Sequence, residues 1–168
     1  SKDGGWKLGQ TNVGDWQLNV SKVKGITAMP TAAKILVNGK ETAFDAYTIE
    51  GNNYFKLRDL AYVLNGTGKQ FEVTWDGNKK AINLLSKKPY TIAGGELLKG
   101  NGQSKKATVS TAIIFVNGKQ IPFTVYTIND NNYFKLRDVM QVFDVSVGWD
   151  GVKKIITLDT SKSYVAPK

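Results

Sequence analysis

The sequence contains no cysteine, so disulfides and thiolate metal sites are excluded. It contains no histidine either, which removes the commonest general base and the commonest ligand for copper or zinc. No stretch approaches the roughly 18 consecutive apolar residues that a membrane helix needs. Gly-x-Ser-x-Gly, phosphate-binding and calcium-binding loops are all missing. Asp3 and Asp15 form no ligand cluster, and Asp76 and Asp150 each stand before a glycine, where turn chemistry accounts for them. These absences point away from an enzyme and away from any metal or cofactor. Ser1 to Gly5 include no initiator Met and no apolar signal core, so a mature or excised fragment is expected. The missing cysteines fit the cytoplasm, and equally a protein exported by a Gram-positive cell.

What is present is basic. The net charge is +9 and the pI about 9.6, a balance that suits anionic partners such as wall polymers, acidic lipid or nucleic acid. The lysines are scattered as singles and pairs, such as Lys79-Lys80 and Lys153-Lys154, which also fits simple solvation and protection of sheet edges. Arginine occurs only at Arg58 and Arg137, and no basic stripe lies on a helix, so nucleic acid is not the expected partner.

The chain repeats itself. Ile35-Leu36-Val37-Asn38-Gly39-Lys40 returns as Ile114-Phe115-Val116-Asn117-Gly118-Lys119. Asn52-Asn53-Tyr54-Phe55-Lys56-Leu57-Arg58-Asp59 returns unchanged from Asn131 to Asp138. Trp75-Asp76-Gly77 recurs as Trp149-Asp150-Gly151, and Tyr90 as Tyr164, with a short deletion before the second Trp.

Both copies read alike locally. An apolar run ends at Asn-Gly, a hairpin signal because both central residues of a type I′ turn take positive φ. A returning strand alternates, with Phe44 and Ala46 on one face and Asp45 and Tyr47 on the other, and turns follow at Gly51–Asn53 and Asp130–Asn132. Leu57, Leu60, Ala61 and Leu64 then fall at i, i+3, i+4 and i+7, as do Leu136, Val139, Met140 and Phe143, which predicts a helix in each copy. Strands are predicted at 71–75 and 81–84, and at 145–149 and 155–158.

This order predicts an α+β fold of two tandem modules, each a small twisted antiparallel β-sheet of about five strands wrapped on one α-helix. The expected division is an N-terminal segment over 1–27, a first module over 28–93, a linker over 94–107 and a second module over 108–168. Each module is near the lower size limit for folding alone, so two separate cores, packed together at most, are expected. Tyr90 to Ala93 read as an edge strand, and Trp16, Leu18 and Val20 alternate as a strand outside the repeat.

Asn-Gly-Lys after an apolar strand, the Leu-Arg helix start and the Trp-Asp-Gly hairpin together resemble the copper amine oxidase N-terminal-like stalk domain. The form Asn-Asn-Tyr-Phe-Lys-Leu-Arg-Asp is similar to tandem copies in secreted proteins of Gram-positive bacteria. The resemblance covers residues 31–92 and 110–165, and implies a sheet wrapped on a helix in a non-catalytic, exported appendage of a larger protein. The wider family often carries Pro-Leu-Arg where this chain has Lys56-Leu57-Arg58 and Lys135-Leu136-Arg137. The name implies no oxidase activity here. The copper site needs histidines, and the quinone-forming tyrosine is typically followed by an acid, whereas Tyr54 and Tyr133 are followed by Phe.

Six residues are candidate ligand contacts: Trp6, Trp16, Trp75, Trp149, Arg58 and Arg137. Flat indoles can stack on sugar rings, and the guanidinium fork suits an anion or sugar acid. The alternative for Trp75 and Trp149 is a cap on a small core. For the arginines it is a tie from the helix to a carboxylate or to strand carbonyls, favoured by the neighbouring core-facing leucine. The expected role is a non-catalytic extracellular spacer, or a unit binding an anionic cell-wall polymer or glycan. The alternative role is protein–protein interaction or self-assembly through sheet edges and the N-terminal segment.

Overall fold

The computed structural model describes residues 26–166. Its first half contains β1 (Ile26–Pro30), β2 (Lys34–Val37), β3 (Lys40–Glu41), β4 (Ala46–Ile49), β5 (Asn52–Lys56), helix α1 (Leu57–Leu64), β6 (Phe71–Asp76) and β7 (Ala81–Ser86). The second half repeats that order as β8 (Lys105–Val109), β9 (Ile113–Val116), β10 (Lys119–Gln120), β11 (Val125–Ile128), β12 (Asn131–Lys135), α2 (Leu136–Phe143), β13 (Ser146–Asp150) and β14 (Ile155–Asp159). The α+β character holds, with eight-residue helices that bury the predicted leucine stripe. Both Asn-Gly turns take the left-handed conformation their chemistry favours, at φ 51° and 83° for Asn38-Gly39 and 52° and 82° for Asn117-Gly118.

The strands do not assemble into two self-contained sheets. Strands β11-β12-β5-β4-β1-β8 close a six-stranded antiparallel barrel, three strands from each half. Two four-stranded sheets, ordered β10-β9-β7-β6 and β13-β14-β2-β3, each take two strands from each half. Their central pairs are parallel: Ile114 stands opposite Ile82, and Ile156 opposite Ile35. The expectation of two tandem antiparallel modules of about five strands is corrected accordingly. The physical reason is degeneracy. The two apolar hairpin strands have nearly the same pattern, so either can add to either acceptor, and the fold uses the acceptor of the opposite half.

The halves are related by an approximate two-fold axis, legible in the register. Phe55 pairs with its own counterpart Phe134 across β5 and β12, and Thr27 with its counterpart Lys106 across β1 and β8. The asparagines of the Asn-Gly turns also clamp the other half. Asn38 Oδ1 accepts the Thr160 amide at 2.9 Å, and Asn117 Oδ1 accepts the Ser86 amide at 3.0 Å.

Packing follows the exchange. Inside the barrel, Tyr47 meets Tyr133 edge-on at 5.5 Å and Tyr54 meets Tyr126 at 5.1 Å, with Ala28, Ile49, Ala107 and Ile128 filling the space between. The second core lies outside the barrel and contains both helices with apolar side chains of all three sheets. Phe71 stacks flat on Phe143 of the other half at 4.2 Å. Two separate module cores are therefore replaced by two shared ones. A buried aromatic at such a junction contributes about 3–5 kcal/mol, which binds the halves into one unit.

The segment read as a linker is also structured differently. Lys105–Val109 form barrel strand β8, and Tyr90–Ala93 are irregular rather than an edge strand. Residues 87–104 run as a strap over the first half. Tyr90 is buried there, and the Leu97 amide donates to Asp59 Oδ1 at 2.9 Å. A Cβ on Gly100 would collide with the Asp45 carboxylate and stand 3.1 Å from the Tyr47 hydroxyl, so a larger residue there would have to displace the Asp45 side chain. Asp45 in turn accepts the Tyr133 hydroxyl at 2.8 Å, which joins strap, barrel and second half. The strand expected at Trp16–Val20 lies outside the described residues.

Candidate functional site: two related grooves

Strand exchange builds two grooves that the repeats would not build alone. In one, Lys56 and Arg58 from the first helix start and Trp75 from β6 face Asp130, Asn131 and Asn132 of the opposite half, around a volume of about 280 Å³. In the other, Lys135, Arg137 and Trp149 face Gly51, Asn52 and Asn53, around about 330 Å³. Each groove thus takes its cations and indole from one half and its amide side chains from the other. The β5–β12 pairing makes this possible, because it sets each Asn-Asn pair beside the other half's helix start.

Trp75 and Trp149 do not cap the core: they are 55% and 54% exposed. Each indole lies over the turn that follows it. A Cβ on Gly77 would stand 3.5 Å from Trp75 Nε1, and one on Gly151 would stand 3.3 Å from Trp149 Nε1. The glycine of Trp-Asp-Gly therefore lets the ring settle on the backbone. The aspartate closes the turn, with Asp76 Oδ1 accepting the Asn78 amide and Asp150 Oδ1 the Val152 amide, both at 3.0 Å. A ring held over a rigid hairpin presents a flat apolar face with little entropy left to lose.

Arg58 and Arg137 are half-buried in equivalent places but differ in their surroundings. Arg58 donates from Nη1 to the Tyr90 hydroxyl at 3.4 Å, and its guanidinium carbon lies 5.9 Å from that ring's centroid. Tyr90 passes its own proton toward Glu96 Oε2 at 2.5 Å. Burial, then the Glu96 carboxylate, pushes the Tyr90 phenol up. Glu96 is held low despite burial by the Tyr90 hydroxyl and the Ala93 and Gly94 amides. Among the described residues Arg58 is thus bound to a tyrosine, and not to the carboxylate or strand carbonyls that were expected. Among the described residues no matching bond joins Arg137 to Tyr164. Trp6 and Trp16 lie outside the described residues.

Asn52, Asn53, Asn131, Asn132, Lys56 and Lys135 complete the grooves and were missed as site residues. All belong to the longest unchanged match between the copies, in which the asparagines read as turn residues. Among the described residues no group of three or more acidic, cysteine or histidine side chains is placed to hold a metal ion. No helix of the described residues is long and apolar enough to cross a membrane. The arrangement offers cations, amides and an indole face: the parts of a binding surface for an oxygen-rich anionic or sugar ligand.

The family model described as the copper amine oxidase N-terminal domain matches residues 36–158. The chain belongs to that family. A single match runs through both halves. In copper amine oxidases this domain is a non-catalytic, stalk-type domain. No curated protein and no solved structure matches the chain significantly.

Proposed function

We propose that this stalk-type domain is a non-catalytic, extracellular unit of a larger Gram-positive protein, binding an anionic wall polymer or glycan and spacing its neighbours from the envelope. The observation that carries the reading is the pair of composite grooves, each setting an exposed indole beside an arginine, a lysine and two amides. An indole face stacks on a sugar ring, the cations hold phosphate or carboxylate, and the asparagines exchange hydrogen bonds with hydroxyls. The overall charge of +9 draws such a polymer in from a distance. Two grooves on one chain convert weak contacts into avidity for a repeating ligand.

Retention on purified Gram-positive walls, with and without teichoic acid, tests the reading. Retention at low salt that falls when teichoic acid is removed is expected, and it should weaken as salt screens the charges. Absence of retention at low salt would leave only the spacer.

A further inference from the structure

We infer that the two grooves are unequal, and that the Arg137–Trp149 groove is the principal subsite, taking a phosphate of an anionic wall polymer together with a sugar ring linked beside it. This deepens the envelope-binding reading and rests on it. The halves supply the same Lys-Leu-Arg and Trp-Asp-Gly elements, so what differs around them decides which groove can receive an anion.

Three differences act in the same direction. First, the rim opposite Arg58 carries Asp130, whereas the equivalent rim position opposite Arg137 is Gly51. A carboxylate in the groove repels an incoming anion and competes for its cations; a glycine does neither. Second, Glu72 lies close enough to Arg58 that, against the upward push of burial, the guanidinium joins the bonds from Thr91 and Val73 in holding its carboxyl low. The residue equivalent to Glu72 in the second half is Ser146, which carries no charge. Third, Arg58 already donates to Tyr90, which the strap anchors through Glu96. Part of its hydrogen-bonding capacity is therefore committed before any ligand arrives.

Shape adds to charge. Gly148 lines the second groove where Thr74 lines the first, and the second groove is the larger, at about 330 Å³ against about 280 Å³. No acidic side chain is among the residues lining the second groove. A pyranose ring laid on Trp149 would turn an adjoining phosphate toward Arg137 and Lys135 and its own hydroxyls toward Asn52 and Asn53.

Titration of the whole chain with soluble teichoic acid oligomers, followed by tryptophan fluorescence, tests this, with a neutral glucan oligomer as the second probe. Arg137→Gln should weaken teichoic acid binding about tenfold or more, the effect of losing a charged hydrogen-bonding partner. Arg58→Gln should cost less than about threefold, since its groove contributes the smaller share. Asp130→Gly, which copies Gly51 at a position of positive φ, should tighten binding, because it removes the opposing carboxylate. Melting curves for each variant separate lost binding from lost folding. Equal losses at the two arginines, or a larger loss at Arg58, would overturn the inequality while the envelope reading stands. Equally tight binding of the neutral glucan would overturn the anionic requirement. Failure of the unsubstituted chain to bind teichoic acid at low salt would overturn both.

Discussion

The two halves carry the same eight residues at the start of their helices, yet those residues live in different surroundings. In the first half the strap covers the helix start: Asp59 is fully buried, with one carboxylate oxygen on the Leu97 amide and the other without a partner among the described residues. In the second half the equivalent Asp138 is only half-buried. Arg58 leans on Tyr90, and Arg137 forms no such bond among the described residues. The comparison teaches that the unchanged motif encodes the shared scaffold, while the segments between the copies decide what each half can do.

The sharpest way to break this view is at the shared scaffold, where the halves should behave alike. Phe55 and Phe134 pair across the two-fold axis and are both fully buried. Phe55→Ala and Phe134→Ala should each cost about 3–5 kcal/mol. Urea unfolding should show one transition in both variants. Two transitions, or a loss confined to one half's signals, would mean the cores are separate after all.

Asp59 offers a smaller effect that should be confined to one half. Burial raises its carboxyl above the ordinary 3.8, only partly offset by the Leu97 amide and Lys56. The folded state therefore holds more protons than the unfolded state between 3.8 and the raised value, and stability falls as pH rises through that window. Asp59→Asn removes the charge and keeps an oxygen for Leu97, so it should raise stability at neutral pH by about 1 kcal/mol. The gain should vanish in acid. Asp138→Asn should change the melting temperature less. Equal gains in both halves would show that the strap does not set the environment of Asp59.

Much of the fold was legible in the sequence, and the limits have particular causes. The helices were readable because leucine spacing reports one buried face, and the hairpins because Asn-Gly reports positive φ. Partner choice was not readable. Ile35–Val37 and Ile114–Val116 look alike, and a parallel pair across the halves leaves no local mark. The strap was read as a linker because glycines and lysines are common in flexible chain, while its anchors are single contacts such as the Leu97 amide to Asp59. Of the site, the arginines were singled out by their rarity and the tryptophans by their flat indole rings. The asparagines were not, because they reach the opposite half's groove only through the β5–β12 pairing.

The smallest predicted contrast concerns the arginines themselves. Arg58→Lys loses the fork and the contact with Tyr90, and should lower stability by about 1 kcal/mol. Arg137→Lys should lower it less and affect binding more. A larger loss of stability at Arg137 would reverse the roles assigned to the two positions.

The central claim is that each half completes the other's sheet. The natural absence of cysteine makes disulfide trapping clean, since any bond formed comes from introduced residues. Leu36 stands opposite Thr157 in the exchanged sheet, whereas a self-contained first half would put it opposite Asn83. Oxidation of a chain carrying Leu36→Cys and Thr157→Cys should give an intramolecular disulfide, and the pair Leu36→Cys with Asn83→Cys should remain reduced. Bond formation by the Leu36–Asn83 pair, with the Leu36–Thr157 pair left as thiols, would contradict the account.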